Sequence, residues 1–525
     1  MTFNSDPWDH TIVNNTLKKV AKSGLIISVG SLIGSLIFFF TRIIIVRVWT
    51  IQDYGIFSLS FALPSIIIAV TSLGIKQGMI RNIAYARQKK DEEKISKLIS
   101  TSTSVFVFLG VIACIFIFIF ADFFAIELFH EPGLIIPIKI FSLLIPLARI
   151  SGIISAIFIA NNNVKPNILF NELAKYACFL ALVLIVVFLG FSFRTVYYSF
   201  LIAAIISTII ISAYGFKKLK LKEKLKIRYI SKSILIKLLI FSMPLYLSGI
   251  IDILKVRIDI IMLGNIENVV SVALYNAAIP LSQLISFPLG ALAVIYMPVV
   301  TGLYAKNKNS EIKRNYIILT KWLMFISIPI FIVLIFFPSE VLRFVYGAEY
   351  VISSTALRIG SIQGLILNIF GLNKYNLISF GKTKMILISS GITLFLNFFL
   401  NILLIPIYSI NGAIGATLVS MFISNIVLSY YLYHYFRVQP FSKNLIKTAF
   451  VLSFPILIIY YFSYSFFKTD ILLIILFYII CNIIVFISII VTKSVDKEDI
   501  DMIESIENKT GLKLGFIKKL FLRAL

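Results

Sequence analysis

The chain has 525 residues, of which 59% are hydrophobic and 14% are charged, and its mean hydropathy is +0.98. In soluble proteins about a quarter of the residues are charged, so this composition excludes a soluble enzyme and indicates a helical membrane protein. A net charge of +25 would indicate nucleic-acid binding in a soluble protein, but here the basic residues lie between apolar runs, which indicates membrane topology.

Apolar runs bounded by charged residues, proline or glycine predict about fourteen membrane-spanning helices. The first run follows Lys18, Lys19 and Lys22; it is too long for a signal-peptide core and has no cleavage site after it, so we expect it to be retained. The predicted spans are 24–47, 56–80, 98–120, 134–160, 166–190, 195–215, 235–263, 270–300, 316–337, 355–378, 383–406, 411–436, 444–467 and 470–492.

The basic residues of the loops predict the orientation of the chain. With a cytoplasmic N-terminus, 38 of the 49 lysines and arginines fall in the N-terminal arm, the even-numbered loops and the tail, and four fall on the opposite face. Cytoplasmic loops are enriched in lysine and arginine, so this asymmetry predicts that both termini are cytoplasmic.

A lysine-rich linker separates two weakly similar halves, and Lys165 and Lys384 each follow the fourth span of their half. Because six spans are an even number, both halves have the same orientation, as in parallel-repeat transporters. We therefore predict an all-α polytopic membrane protein with two pseudo-symmetric six-helix lobes and two extra C-terminal helices. The predicted parts are an N-terminal lobe (1–215), a basic cytoplasmic linker (216–233), a C-terminal lobe (234–437), spans 13 and 14 (438–492) and a cytoplasmic tail (493–525).

Charged residues inside predicted spans are the main functional signal, because charge in hydrocarbon is costly and marks function by default. Seven are basic and three are acidic, an excess with the sign needed to hold an anion. They are Arg42, Lys139, Arg149, Lys175, Lys255, Arg257, Arg358, Glu172, Asp252 and Asp259.

Two spans carry the charges farthest from water. Arg149 lies about halfway along span 4, roughly 10–15 Å from water at 1.5 Å per residue, so we expect it to face a cavity or a buried carboxylate. Asp252, Lys255 and Asp259 share one face of span 7, and Arg257 lies off that face. We expect Asp252 and Lys255 to line a cavity, whereas Asp259 and Arg257 are equally consistent with positions among lipid headgroups.

Other polar positions have more ordinary interpretations. Arg42 and Arg358 lie in the outer third of their spans, where either a cavity or the membrane surface can receive the side chain. Glu172 and Lys175 are three residues apart and are expected to neutralise each other. The asparagines at 397 and 401 share a face of span 11, which predicts hydrogen bonding between helices.

Several short motifs occur in a fixed order along nearly the whole chain. Through them the sequence resembles the O-antigen-type polysaccharide (oligosaccharide-lipid) flippases, a family of the multidrug/oligosaccharidyl-lipid/polysaccharide exporter superfamily. The motifs are Arg42-x4-Arg47-Val-Trp-x3-Asp53-Tyr54-Gly55, Leu73-Gly74 to Arg81, Phe241-Ser-Met-Pro244 with Asp259, Tyr275-Asn276, Tyr346-Gly347-Ala-Glu349-Tyr350, Gly381-Lys382-Thr-Lys384 and Asn411-Gly412-Ala-x-Gly415-Ala416.

The resemblance implies a membrane transporter, not an enzyme, whose two lobes enclose a central cavity that opens alternately to either side of the cytoplasmic (inner) membrane of a prokaryote. It implies translocation of a prenyl-pyrophosphate-linked oligosaccharide, with cavity arginines, of which Arg42 is one by position, meeting the lipid pyrophosphate. Because of their charge inside predicted spans, Arg149, Asp252, Lys255 and Arg358 are further candidates for this substrate-binding site.

The expected partners are a lipid-linked oligosaccharide (on polyprenyl phosphate or pyrophosphate) and membrane lipids. We expect no cofactor, no metal, no nucleic acid and a monomer, and a coupling ion is left open. A cation-coupled multidrug antiporter is an alternative, but spans 1 to 4 contain no internal carboxylate to bind H⁺ or Na⁺. A flippase for the lipid-linked peptidoglycan precursor is another. A membrane enzyme is disfavoured because the outer loops are short.

Overall fold

The computed structural model describes residues 10–219, 221–441, 471–492 and 500. Across these ranges every regular element is helical, which confirms the all-α polytopic fold class. The predicted span at 444–467 lies outside the described residues, as does the tail apart from Ile500.

The first half of the chain forms nine α-helices, two of them preceded by a short π-helical segment. The α-helices are α1 (His10–Val48), α2 (Ile51–Val70), α3 (Ile75–Gln88), α4 (Glu92–Ile119), α5 (Ile135–Ser142), α6 (Leu144–Ala160), α7 (Lys175–Phe188), α8 (Arg194–Leu219) and α9 (Leu221–Lys224), and the π-helical segments are Phe123–Leu128 and Asn167–Ala174.

The described part of the second half contains eight α-helices. They are α10 (Lys232–Ile266), α11 (Val269–Ala305), α12 (Asn309–Phe336), α13 (Pro338–Val345), α14 (Ser354–Phe370), α15 (Leu372–Ser379), α16 (Thr383–Phe436) and α17 (Ile471–Val491). Helix α16 contains a corner at Ser409, whose φ of 50° and ψ of −128° are not helical, and this corner separates the predicted spans 11 and 12.

Ten helical stretches among the described residues are long and apolar enough to cross a membrane. The stretch Thr383–Phe436 is one of them although it holds two predicted spans, and α10 is not among them although it covers predicted span 7. The protein is therefore a multi-pass membrane protein, and the count of fourteen spans stays a prediction.

The prediction of a continuous span 2 at 56–80 is wrong. Helix α2 ends at Val70 and α3 begins at Ile75, because Leu73 and Gly74 have positive φ angles of 44° and 63°. Backbone in that region is left-handed and cannot continue a right-handed helix. Predicted span 4 at 134–160 corresponds to one membrane-spanning stretch, Pro132–Ala160, in which α5 and α6 are separated by a single residue close to Pro146. Pro146 cannot donate a backbone hydrogen bond.

The described residues divide into two compact units. Those of the first lie within Met1–Asn276 and Ser390–Thr417, and those of the second lie within Ala277–Ser389 and Leu418–Leu525. An apolar core in the first unit joins α3, α4, α6 and the start of α10 through buried side chains such as Met79, Ile99 and Leu238. A core in the second unit joins α11, α12, α15 and the end of α16 around Tyr296, Tyr316 and Leu432.

Inside the first unit, α10 packs along α2 and α3 with glycine at the points of closest approach. A Cβ atom on Gly264 of α10 would lie 2.5 Å from Leu59 of α2, and one on Gly55 of α2 would lie 1.9 Å from the carbonyl oxygen of Val269 at the start of α11. Near the start of α3, a Cβ on Gly78 would lie 2.5 Å from the hydroxyl of Ser242. Small residues let helix backbones approach closely in membranes, so these glycines allow α10 to pack tightly against α2 and α3.

Candidate functional site

Arg42 lies near the end of α1 and is half-buried. Its guanidinium donates hydrogen bonds to the hydroxyl of Tyr54 on α2 (Nε to oxygen, 2.8 Å) and to the backbone carbonyl of Asn276 on α11 (Nη2 to oxygen, 2.7 Å). It also lies 5.9 Å from the ring centre of Phe38. These contacts hold the guanidinium between α1, α2 and the start of α11.

Arg257 on α10 lies close to this arrangement. Its guanidinium is 5.5 Å from the ring centre of Phe61 on α2, and it is near enough to Arg42 for the two like charges to repel each other. Among the described residues it has no hydrogen-bond acceptor and no carboxylate partner. Helix spacing places Arg257 off the face that carries Asp252, Lys255 and Asp259, so the sequence did not predict that the charge of Arg42 acts on it.

Arg149 lies on α6 and is 6% exposed. Its Nη2 donates to the backbone carbonyl of Ile68 in the last turn of α2, and its guanidinium carbon is 5.6 Å from the ring centre of Phe106. A cation beside the last carbonyls of a helix is favourably placed in the helix dipole. The structure thus gives Arg149 a backbone partner at the break between α2 and α3, where the hydroxyl of Tyr246 also donates to Val70 (2.6 Å).

Asp252 and Lys255 form an ion pair one turn apart on α10, with 2.7 Å between Oδ1 and Nζ. The ammonium group also donates to the hydroxyl of Ser390 on α16, at 3.2 Å. The carboxylate is the more exposed partner, with 42% of its side chain accessible against 25% for the lysine. The two residues share a helix face, as their spacing predicted.

Arg358 belongs to the second unit. It lies on α14, is exposed, and donates from Nε to the backbone carbonyl of Ile335 at 3.1 Å. The terminal nitrogens of this arginine have no bonding partner in the described part of the chain.

Asp259 lies two residues after Arg257 and is 1% exposed. Its Oδ1 accepts from the amides of Asn397 (3.0 Å) and Asn401 (2.7 Å), and its Oδ2 accepts from the hydroxyls of Tyr275 (2.5 Å) and Thr417 (2.5 Å). We call these five side chains the Asp259 cluster. The predicted hydrogen bonding between helices by the two asparagines is confirmed, and its acceptor is a residue that the sequence argument had left undecided.

The predicted Glu172–Lys175 pair is wrong. No ion pair joins them in the part of the chain that the structure describes, and the lysine ammonium lies 4.4 Å from the ring centre of Tyr176. Glu172 belongs to the π-helical segment Asn167–Ala174, in which hydrogen bonds run from i to i+5. Residues three apart do not share a face in that geometry, so the α-helical spacing rule does not apply.

The fold is that of a multi-pass membrane protein with charged residues on its membrane helices. A family model described as "Polysaccharide biosynthesis protein" matches residues 20–304, more than half of the chain, and a second, MatE, matches residues 244–403. The chain belongs to the polysaccharide biosynthesis protein family.

Curated relatives agree with this assignment. The capsular polysaccharide biosynthesis protein CapF of Staphylococcus aureus is 24% identical over 78% of this chain and 98% of its own length. A putative O-antigen transporter of Shigella flexneri is 22% identical over 63% of this chain and 78% of its own length. The teichuronic acid biosynthesis protein TuaB of Bacillus subtilis is 25% identical, but the match spans only 32% of that protein and 28% of this chain.

Solved structures share the fold. The lipid II flippase MurJ, in an inward closed conformation, aligns with a TM-score of 0.69 at 18% identity, over 87% of this chain and 97% of its own. An inward-facing MATE family multidrug resistance transporter aligns with a TM-score of 0.64 at 16% identity, over 75% of this chain and 93% of its own. The chain is thus a membrane flippase or transporter of polysaccharide biosynthesis, not an enzyme.

Proposed function

We propose that the protein flips a prenyl-phosphate- or prenyl-pyrophosphate-linked oligosaccharide across the cytoplasmic membrane of a prokaryotic cell, for surface polysaccharide or glycan biosynthesis. Two six-helix lobes, 1–215 and 234–437, open a central cationic cavity alternately to either side of the membrane. The linker 216–233 and both termini are cytoplasmic, and the working unit is a monomer.

The neighbouring guanidinium groups of Arg42 and Arg257 carry this proposal. Two like charges near each other in membrane helices, one of them without a carboxylate or an acceptor among the described residues, form a locally positive site. A phosphate or pyrophosphate matches the planar donor set of arginine and removes the repulsion when it binds. The polar head group of the substrate cannot cross hydrocarbon unaided, so a positive, wet path lowers the energy of its crossing.

In this proposal the other predicted site residues either add positive charge or position a neighbouring group. Lys255 and Arg358 carry further positive charge, and Asp252 fixes the position of the lysine ammonium. Arg149 acts as a positioning residue, because it is bonded to the end of α2. The names of the relatives support a glycan substrate, since they specify capsular polysaccharide, O-antigen and lipid II.

Two alternatives have observations in their favour. The MatE model over 244–403 and the MATE fold favour a cation-coupled multidrug antiporter, and the MurJ fold favours a flippase for the peptidoglycan precursor. A flipping assay separates the three. The full chain is reconstituted in vesicles that contain a fluorescent polyprenyl-pyrophosphate oligosaccharide, a fluorescent peptidoglycan precursor or a cationic dye. A membrane-impermeant quencher is added outside, and the fluorescence that it cannot quench measures the molecules that remain on the inner side.

We expect the wild-type protein to expose the inner-leaflet oligosaccharide and R42A to slow this at least about tenfold, because a charge-assisted contact contributes about 1.5–3 kcal/mol. The control K139A, which removes a lysine paired at 3.4 Å with Asp122 outside the proposed site, keeps the wild-type rate. Equal rates in R42A and the wild type, or movement of the dye or the peptidoglycan precursor alone, would contradict the proposal.

A further inference from the structure

The basic linker is fastened to the first turns of α4. The hydroxyl of Ser100 donates to the backbone carbonyl of Lys224 (2.6 Å) and accepts from the backbone N–H of Lys226 (3.1 Å). The hydroxyl of Thr101 accepts from the backbone N–H of Ser231 (3.0 Å). The described part of the linker is therefore a fixed part of the first unit.

An apolar crevice of about 80 Å³ lies between this part of the linker and three helices of the first unit. Its walls are isoleucines of α4 and α6, together with Phe216 at the end of α8 and Leu221 and Leu225 of the linker. Thr103 is the one polar residue among the described lining residues, and its hydroxyl oxygen is buried without a hydrogen-bond partner in the described part of the chain. The crevice thus presents only apolar surface, which suits a hydrocarbon chain and disfavours a polar group.

Exposed lysines border this crevice. Lys217 and Lys218 follow its phenylalanine in the sequence, and Lys222 and Lys226 each follow one of its leucines. All four side chains are exposed, and none of them has a carboxylate partner among the described residues. The linker contains eight basic residues and a single acid, Glu223, so the surface beside the apolar crevice is strongly positive.

The acidic residues at the start of α4 are engaged elsewhere. Glu92 pairs with Lys224 (3.1 Å between Oε2 and Nζ), and Glu93 pairs with Lys97 on its own helix (2.6 Å). Asp91 accepts a backbone N–H and caps the start of α4. The positive charge of the linker is therefore left for a ligand from outside the chain.

This place is far from the arginines of the proposed transport site. Arg42 is bonded to Tyr54, one turn before Phe57, whose ring stacks on that of Tyr197 in the first turn of α8 (6.4 Å between ring centres). Phe216 lies near the other end of α8, about 28 Å away along the helix at 1.5 Å per residue. A head group held at Arg42 therefore cannot reach the linker lysines at the same time.

We propose that the crevice and the lysines beside it form a binding site for an anionic diacyl phospholipid of the surrounding bilayer. One acyl chain enters the crevice, and the phosphate lies at the exposed ammonium groups, which attract it as point charges. A neutral phospholipid fits the crevice equally well but gains nothing from the lysines, so charge selects the ligand. Because the linker is already fixed to α4, binding requires little ordering of the chain. This site goes beyond the proposed transport function and does not depend on it.

Native mass spectrometry of the full chain, released from detergent micelles, measures this binding. Phosphatidylglycerol, phosphatidylcholine and a prenyl monophosphate are titrated separately. We expect phosphatidylglycerol to bind at least about tenfold more tightly than phosphatidylcholine, and K222Q/K226Q to remove about tenfold of that affinity. The matched control K382Q/K384Q removes two exposed lysines from the second unit and should leave the affinity unchanged.

Three measurements test the apolar part of the site. I150F places a larger side chain in the crevice and should lower the affinity for phosphatidylglycerol about tenfold, because the acyl chain is displaced. T103V keeps the shape of the side chain, removes its hydroxyl and should leave the affinity unchanged. An excess of glycerol 3-phosphate, which has no acyl chain, should not displace phosphatidylglycerol. This competition needs no variant, so it decides the role of the chain even if I150F fails to fold.

Four outcomes would overturn the proposal. They are equal affinities for the two phospholipids, equal losses in K222Q/K226Q and K382Q/K384Q, an unchanged affinity in folded I150F, and displacement by glycerol 3-phosphate. A prenyl monophosphate that binds more tightly than phosphatidylglycerol and loses affinity in the same variants would also overturn it, because the crevice would then belong to the transported lipid. None of these measurements involves transport, so their failure is distinct from a failure of the proposed function.

Discussion

Arg257 and Asp259 are two residues apart on α10 and meet opposite environments. The aspartate is enclosed by four hydrogen-bond donors from α11 and α16, whereas the arginine has an aromatic ring and a neighbouring like charge. The protein thus supplies hydrogen-bond donors to both oxygens of Asp259, which we call the enclosed side of α10. It supplies no hydrogen-bond acceptor to Arg257 among the described residues, and we call this the incomplete side. A buried polar group without partners is unfavourable, so the incomplete side is where an external anion has most to contribute.

The enclosed side should show the largest effect on stability. Replacing Asp259 by Ala removes the common acceptor of two amides and two hydroxyls in a buried site. Because each orphaned buried donor costs about 1–3 kcal/mol and some can find new acceptors, we expect a loss of about 3 kcal/mol, measured as a lower thermal unfolding midpoint in detergent. D252A, at a half-exposed site, should shift the midpoint far less, and equal shifts would remove the contrast between the two environments.

The hydrogen-bond partners of Asp259 also show which features of the protein could be predicted from the sequence and which could not. Hydropathy and the distribution of lysine and arginine report directly on the lipid environment, so the all-α class and the many spans were predictable. The acceptor of Asn401 could not be predicted, since Asp259 lies 142 positions away and nothing local specifies which helices meet. Spacing alone placed Asp259 equally well among headgroups.

Local geometry limited the other predictions in the same way. The break at Gly74 and the π-helical turn around Glu172 depend on left-handed backbone and on i to i+5 bonding. Rules based on a regular α-helix therefore failed at both places. The helix-face argument succeeded for Asp252 and Lys255 because α10 is regular through that region.

The incomplete side should show the opposite balance of stability and function. In R257A a charge that repels Arg42 and has no acceptor among the described residues is removed, so we expect the unfolding midpoint to stay the same or to rise. Binding of the phosphorylated lipid should weaken about tenfold, which corresponds to roughly 1.4 kcal/mol.

R257K provides the matched control because it keeps the positive charge and loses the planar donor set. An intermediate affinity is expected, measured by titrating a fluorescent prenyl pyrophosphate into the purified protein. If R257A lowered the unfolding midpoint as much as D259A does, Arg257 would be a structural residue and the asymmetry of α10 would disappear.

The smallest effect is expected where α3 meets α10, on the arginine side of the same helix. Gly74 and Gly190 both have left-handed backbone, with φ of 63° and 67°, so alanine at either position carries the same strain of about 1–2 kcal/mol. They differ in surroundings: a Cβ on Gly74 would lie 2.7 Å from the carbonyl oxygen of Ser242 on α10, and one on Gly190 would meet nothing within 4 Å. G74A should therefore lose about 1 kcal/mol more than G190A in thermal unfolding. Equal losses would mean that α3 and α10 can move apart without loss of stability. In that case the close contact between Gly74 and Ser242 would not be what holds α10 against α3.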